Sequence, residues 1–195
     1  MAWEAVAISH GAMIRDRPPD GSEEGMDPFS SGTPLLSYAQ FQNALRIEFG
    51  RARRYGLPLS CLAVGLDGLE PLRDKHGGAV RDEAFAFLVA AIQTHLRGSD
   101  LLGHYNDRLA LLLPHAGMEG ACAVSERILA QVAMQPFHLA GESVSLTASI
   151  GVASLESRST IFFDSLAKSA EAAAQQAAAA GGGRIVRASA LPVKA

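Results

Sequence analysis

The chain has 195 residues, 48% of them apolar and 19% charged, with a formal net charge of −3 at pH 7. That length suffices for one domain with a proper hydrophobic core, and the composition is ordinary for a soluble globular protein. The small negative charge excludes a global field that would draw nucleic acid or an anionic membrane, and no apolar run reaches the ~18 residues of a membrane span.

Residues 1–30 differ in character from the rest of the chain. The stretch from Arg15 to Gly25 is polar and rich in proline and glycine, and cannot bury enough apolar surface to offset chain entropy. It is read as a flexible N-terminal tail, although Trp3, Val6, Ile8 and Ile14 could dock. Glu4 interrupts the short apolar stretch at the start and no basic region precedes it, so no signal peptide is expected and the cytoplasm is the expected compartment.

From Leu35 the pattern becomes regular. Phe41, Leu45 and Phe49 recur every four residues, with arginines 51, 53 and 54 at the end, which predicts an amphipathic helix with cations at its C-terminus. Gly56 and Pro58 stop it, and Leu59 to Leu66 reads as a buried strand. A short helix near Leu69 and Leu72 ends at Gly77-Gly78. Phe85, Leu88, Val89, Ile92 and Leu96 then mark a second helix stripe. Two strands, around Leu101–His104 and Leu109–Leu113, are separated by a few polar residues and predict a hairpin. Ala121, Val124, Ile128 and Val132 mark another helix, and the alternation from Val144 to Val152 marks another strand.

Residues 164–180 are alanine-rich and free of glycine and proline, so a helix is expected, weakly packed for want of large side chains. Gly181-Gly182-Gly183 ends it and Ile185-Val186 begins a last strand. The order argues for an α/β class of fold, an α+β sandwich with helices flanking a mixed, mainly antiparallel sheet. Cys61 and Cys122 lie in apolar segments and read as small buried hydrophobes. The six histidines, 10, 76, 95, 104, 115 and 138, show no metal-ligand spacing, and His104 is expected at the surface.

Three stretches carry a resemblance. Leu111-Leu112-Leu113-Pro114 through Ala123-Val124-Ser125-Glu126-Arg127-Ile128, Thr147-Ala148-Ser149-Ile150-Gly151-Val152-Ala153, and the spacing from Gly77 to Asp82 together resemble the GGDEF family of diguanylate cyclases. The resemblance covers residues 31–188, leaving 189–195 as a C-terminal tail, and implies a nucleotide-cyclase, ferredoxin-like βααββαβ core. The family's reaction condenses GTP through two divalent cations held by carboxylates, which stabilise charge on the triphosphate.

The same resemblance implies that this chemistry is lost here. The first carboxylate position falls on Gly65, and Asp67 matches the second acid of the pair. The signature is reduced to Tyr105-Asn106-Asp107-Arg108-Leu109. Counted back from Pro114, Asp107 falls on the metal-binding acid; counted forward from Asp100, it falls on a glycine. Either way no Gly-Gly pair remains and Arg108 replaces a carboxylate. Of the guanine contacts, the asparagine position falls on Arg73, while the acid is kept as Asp82. Phosphate-binding cations fall on Ala178 and Gly182. No enzyme activity, metal or cofactor is therefore expected.

The family's inhibitory RxxD motif, which binds cyclic di-GMP, is matched by Arg97-Gly98-Ser99-Asp100, with Arg127 in place of a third contact. A guanidinium is the natural fork for phosphate oxygens, and a carboxylate can accept from a guanine edge. The expectation is a non-catalytic signalling domain acting as a cyclic di-GMP receptor through Arg97, Asp100 and Arg127. A protein-interaction or dimerisation module without nucleotide binding is the alternative, and GTP binding without turnover, through Asp67, Asp82 and Asp107, is a third reading.

Overall fold

Ser37 begins the helical structure by a reciprocal cap. Its hydroxyl accepts from Gln40 N–H at 3.3 Å, and the Gln40 side chain accepts from Ser37 N–H at 2.8 Å. In the computed structural model, which describes residues 33–155 and 162–188, this cap opens helix α1 (Tyr38–Tyr55), closed by Gly56 at φ +66°. A two-residue strand, β1 (Leu35–Leu36), precedes it. There follow β2 (Leu59–Asp67), α2 (Leu69–His76), α3 (Ala79–Gln93), β3 (Leu101–Tyr105), β4 (Arg108–Pro114) and α4 (Met118–Met134). A small hairpin of β5 (Phe137–Leu139) and β6 (Glu142–Val144) leads to β7 (Thr147–Ser154), α5 (Phe163–Ala179) and β8 (Arg184–Arg187).

Six strands form one sheet in the order β1-β3-β4-β2-β7-β8. The three central pairings are antiparallel and the two edge pairings parallel, so the sheet is mixed and mainly antiparallel. Strand alternation sorts the two faces. Leu62 and Val64 of β2 join Leu109, Leu111 and Leu113 of β4 under α3 and α4. Cys61 and Ala63 join Ala110 and Leu112 under α1 and α5. Gly65 and Arg108 follow in the second series, one step past the last paired residues, Val64 and Leu109.

The alanine-rich helix departs from its expected weak packing. Leu166, Ala167, Ala170, Ala173, Ala174 and Ala177 are buried against the sheet. A Cβ on Gly151 of β7 would overlap Ala170 O and Ala174 N. Small residues on both sides bring helix and strand into backbone contact, and this replaces the packing that long side chains would supply. Three other expectations are corrected. Val144 belongs to β6, not to the long strand, which starts at Thr147. The predicted order opens on a helix, but a short edge strand precedes it, in which Leu35 pairs with Leu102. His104 is half-buried and stacks on Phe85 with ring centroids 4.9 Å apart.

Both cysteines are buried and unbridged, and burial pushes the Cys61 thiol up to about 12, which leaves it inert. Among the described residues no helix is long and apolar enough to cross a membrane. The proposed tails, residues 1–30 and 189–195, lie outside the described residues, as do Trp3, Val6, Ile8, Ile14 and His10.

Candidate functional site

The site forms where β2 ends and β4 begins. The β3–β4 ladder stays paired up to Tyr105 and Arg108, so the turn holds two residues, Asn106 and Asp107. Asn106 takes φ +53°, a left-handed conformation that asparagine tolerates better than most side chains. Its amide donates to Glu171 of α5 at 2.8 Å, and Asp107 pairs with Arg81 of α3 at 3.0 Å. The turn is thus tied to a helix on each side. Asp107 is 91% exposed and faces that guanidinium, so the pair adds little stability.

Arg108 reaches back across the sheet onto Gly65. A Cβ built on Gly65 would overlap Nη1 of Arg108 and lie 3.2 Å from its Cζ. The guanidinium therefore lies where any side chain at position 65 would start. It lines a hollow of about 270 Å³ with Leu66, Leu69, Arg81, Phe85, Glu171 and Gln175. A second hollow of about 310 Å³ takes in Glu70 and Arg73 and shares Leu69, Arg81 and Asp107 with the first. Arg73 is spent on an ion pair with Glu70 one turn away. Asp82 is exposed in the first turn of α3, where an acid suits the helix dipole, and lines neither hollow.

Asp67 serves the backbone. It accepts from Ser149 Oγ at 2.6 Å, Gly183 N at 2.9 Å and Thr147 Oγ1 at 3.0 Å. A Cβ on Gly182 would stand 2.5 Å from Asp67 Oδ2. One carboxylate thereby joins β2, β7 and the glycine turn into β8. The divalent cations of the family's reaction do not fit these residues. Gly65 offers no ligand, Asp67 is engaged by three donors of its own fold, Asp107 faces Arg81, and the Arg108 guanidinium lies over Gly65. Among the described residues no three His, Cys, Asp or Glu side chains converge into a cluster that could hold a metal ion.

A second constellation lies at the other end of α3. Asp100 is 4% exposed, and its Oδ2 accepts from Arg97 N at 2.8 Å, while Asp100 N donates to Arg97 O at 3.0 Å. Ser99 Oγ approaches Oδ1 at 3.4 Å. The acid of the RxxD motif thus folds the loop that presents Arg97. Arg97 and Arg127, on α4, are both exposed, and neither has an acid partner among the described residues. His95 stands between these elements with Nε2 buried and unpartnered. Desolvation, then the charge of Arg127, hold its pKa below the ordinary value of 6.5. His95 belongs to this constellation and does not stand out in the sequence, where a lone histidine carries no signal.

A model of the family described as diguanylate cyclase, GGDEF domain, matches residues 31–184. The chain belongs to the GGDEF family. It is similar to the diguanylate cyclase DosC of Escherichia coli K12, with 30% identity over 133 residues, which take in 67% of this chain and 28% of that protein. The chain spans 19% to 38% of the length of such curated relatives. Among solved structures it resembles the GGDEF domain of YfiN (also called TpbB) from Pseudomonas aeruginosa, with a TM-score of 0.74 and 26% identity over 80% of this chain and 98% of that one. It also resembles a microbial GGDEF domain solved with cyclic di-GMP, with a TM-score of 0.65 and 25% identity over 80% of this chain and 92% of that one.

Proposed function

We propose that this domain is a non-catalytic GGDEF module that binds cyclic di-GMP through Arg97 and Arg127. The observation that carries the binding role is the pair of exposed arginines with no acid partner among the described residues, presented on adjoining elements beside His95. Two guanidinium forks match the two phosphodiesters of the dinucleotide, and their planes can stack on guanine. Asp100 fixes the loop, because its carboxylate already serves Arg97 N. The non-catalytic reading is supported by Arg108 over Gly65: a guanidinium stands where a carboxylate would have to hold the magnesium that GTP condensation needs.

Calorimetry with cyclic di-GMP tests the binding. Saturable heat is expected from the wild type, and Arg97→Ala should lose about 1.5–3 kcal/mol, the value of a charge-assisted contact. Heat no greater than buffer dilution would reject the receptor role, and equal binding by Arg97→Ala would move the site elsewhere. Pyrophosphate release from GTP and magnesium by the purified chain would overturn the non-catalytic assignment.

A further inference from the structure

The hollow over Gly65 retains a chemical character of its own. Two half-buried, opposite charges line it from different elements, Arg108 on β4 and Glu171 on α5. They make no ion pair with each other. The guanidinium of Arg108 makes no hydrogen bond or salt bridge with any described residue, and Glu171 is met by the neutral amide of Asn106 at one oxygen, Oε1. The other two charges of the lining, Arg81 and Asp107, neutralise one another at the rim. The rest of the lining includes the apolar side chains of Leu66, Leu69, Phe85 and Leu88. At about 270 Å³ the space falls just under the roughly 300–1,000 Å³ of sites that enclose drug-sized ligands.

We propose that this hollow binds a free α-amino acid with an apolar side chain, its carboxylate on Arg108, its ammonium on Glu171 and its side chain against Leu66, Leu69 and Phe85. A zwitterion supplies each unpaired charge with its complement, whereas a polyanion would meet Glu171 and Asp107 as well as Arg108. The planar fork of Arg108 suits a carboxylate in particular. Gly65 makes the arrangement possible, since any side chain there would displace the guanidinium. The proposal is independent of cyclic di-GMP, whose proposed arginines lie at the opposite end of α3 and do not line this hollow.

L-leucine is the probe, with isocaproate and isoamylamine as analogues that each lack one of its charges. Titration of the ¹⁵N-labelled protein should give saturable shifts of the Arg108 Nε–H and of the Leu66 and Leu69 amides. Each analogue should bind at least about tenfold more weakly than leucine. Arg108→Gln and Glu171→Gln should each weaken leucine by a similar factor and leave cyclic di-GMP binding unchanged. Absence of saturation at tens of millimolar leucine would overturn the proposal, as would isocaproate binding as tightly as leucine. The analogue series uses the wild-type chain alone and stands even if a variant misfolds.

Discussion

At the scale of single residues, the acid at the end of β2 does structural work. Asp67 holds three donors from three segments, among them a backbone N–H of the glycine turn. Asp67→Ala should lower unfolding stability by about 1–3 kcal/mol, since it leaves those donors to compete for water. A urea denaturation curve indistinguishable from the wild type would refute this role. Gly65→Asp returns an acid to β2 but sets it against Arg108. The expected outcome is an ion pair there, with no rise in melting temperature when magnesium and GTP are added. A magnesium-dependent rise would show that the acid can escape the guanidinium. The resemblance read from the sequence puts Gly65 and Arg108 where the family's carboxylates are expected. It cannot reveal that one side chain rests on the other, because forward and backward counting place Asp107 differently and only the ladder, paired at Tyr105 and Arg108, shows where the turn falls.

At the scale of elements, the helices with large stripes are legible because burial of Phe41, Leu45 and Phe49, or of Leu88 and Ile92, repeats at the helical period. The elements that escape such a reading are short or unusually packed. The strand β1 has two residues, too few for any alternation, and is fixed by tertiary pairing with β3. The β5–β6 hairpin takes Val144 out of a run that reads as one long alternation, because Val144 pairs with Phe137 across the turn at Ala140 and Gly141. Helix α5 is legible as a helix, but its closeness to the sheet depends on Gly151, far away in sequence. Gly151→Ala should force α5 outward and cost about 1–3 kcal/mol, as overpacking does. Hydrogen exchange should then speed up along α5 and β7 while α3 and α4 keep their protection. Uniform protection in the variant would mean that the contact yields without cost.

At the scale of the whole molecule, the sandwich separates two charged regions along α3, one at the end of β2 and one beyond its own C-terminus. The second is open to protons. His95 has a pKa below its ordinary value, so the unfolded chain binds a proton more readily than the folded one. Stability is therefore full above the unfolded value of 6.5 and falls as pH drops through it toward the lower folded value. His95→Asn should flatten that part of the stability curve, and an unchanged slope would point to another group. If cyclic di-GMP settles between Arg97 and Arg127, its phosphates offset the repulsion on His95 and its pKa rises, so binding takes up protons. Calorimetry in two buffers of different ionisation enthalpy should then give different heats.

The overlap of Arg108 with position 65 also constrains what mutation can reach from here. Restoring an acid on β2 first places it under a guanidinium; removing the guanidinium first leaves a bare strand end with nothing to coordinate. Neither change alone supplies a cation ligand at this place. The contact works as a ratchet: an acid introduced at position 65 by itself meets the guanidinium before it can meet a metal, so a cation site cannot be built there in single steps.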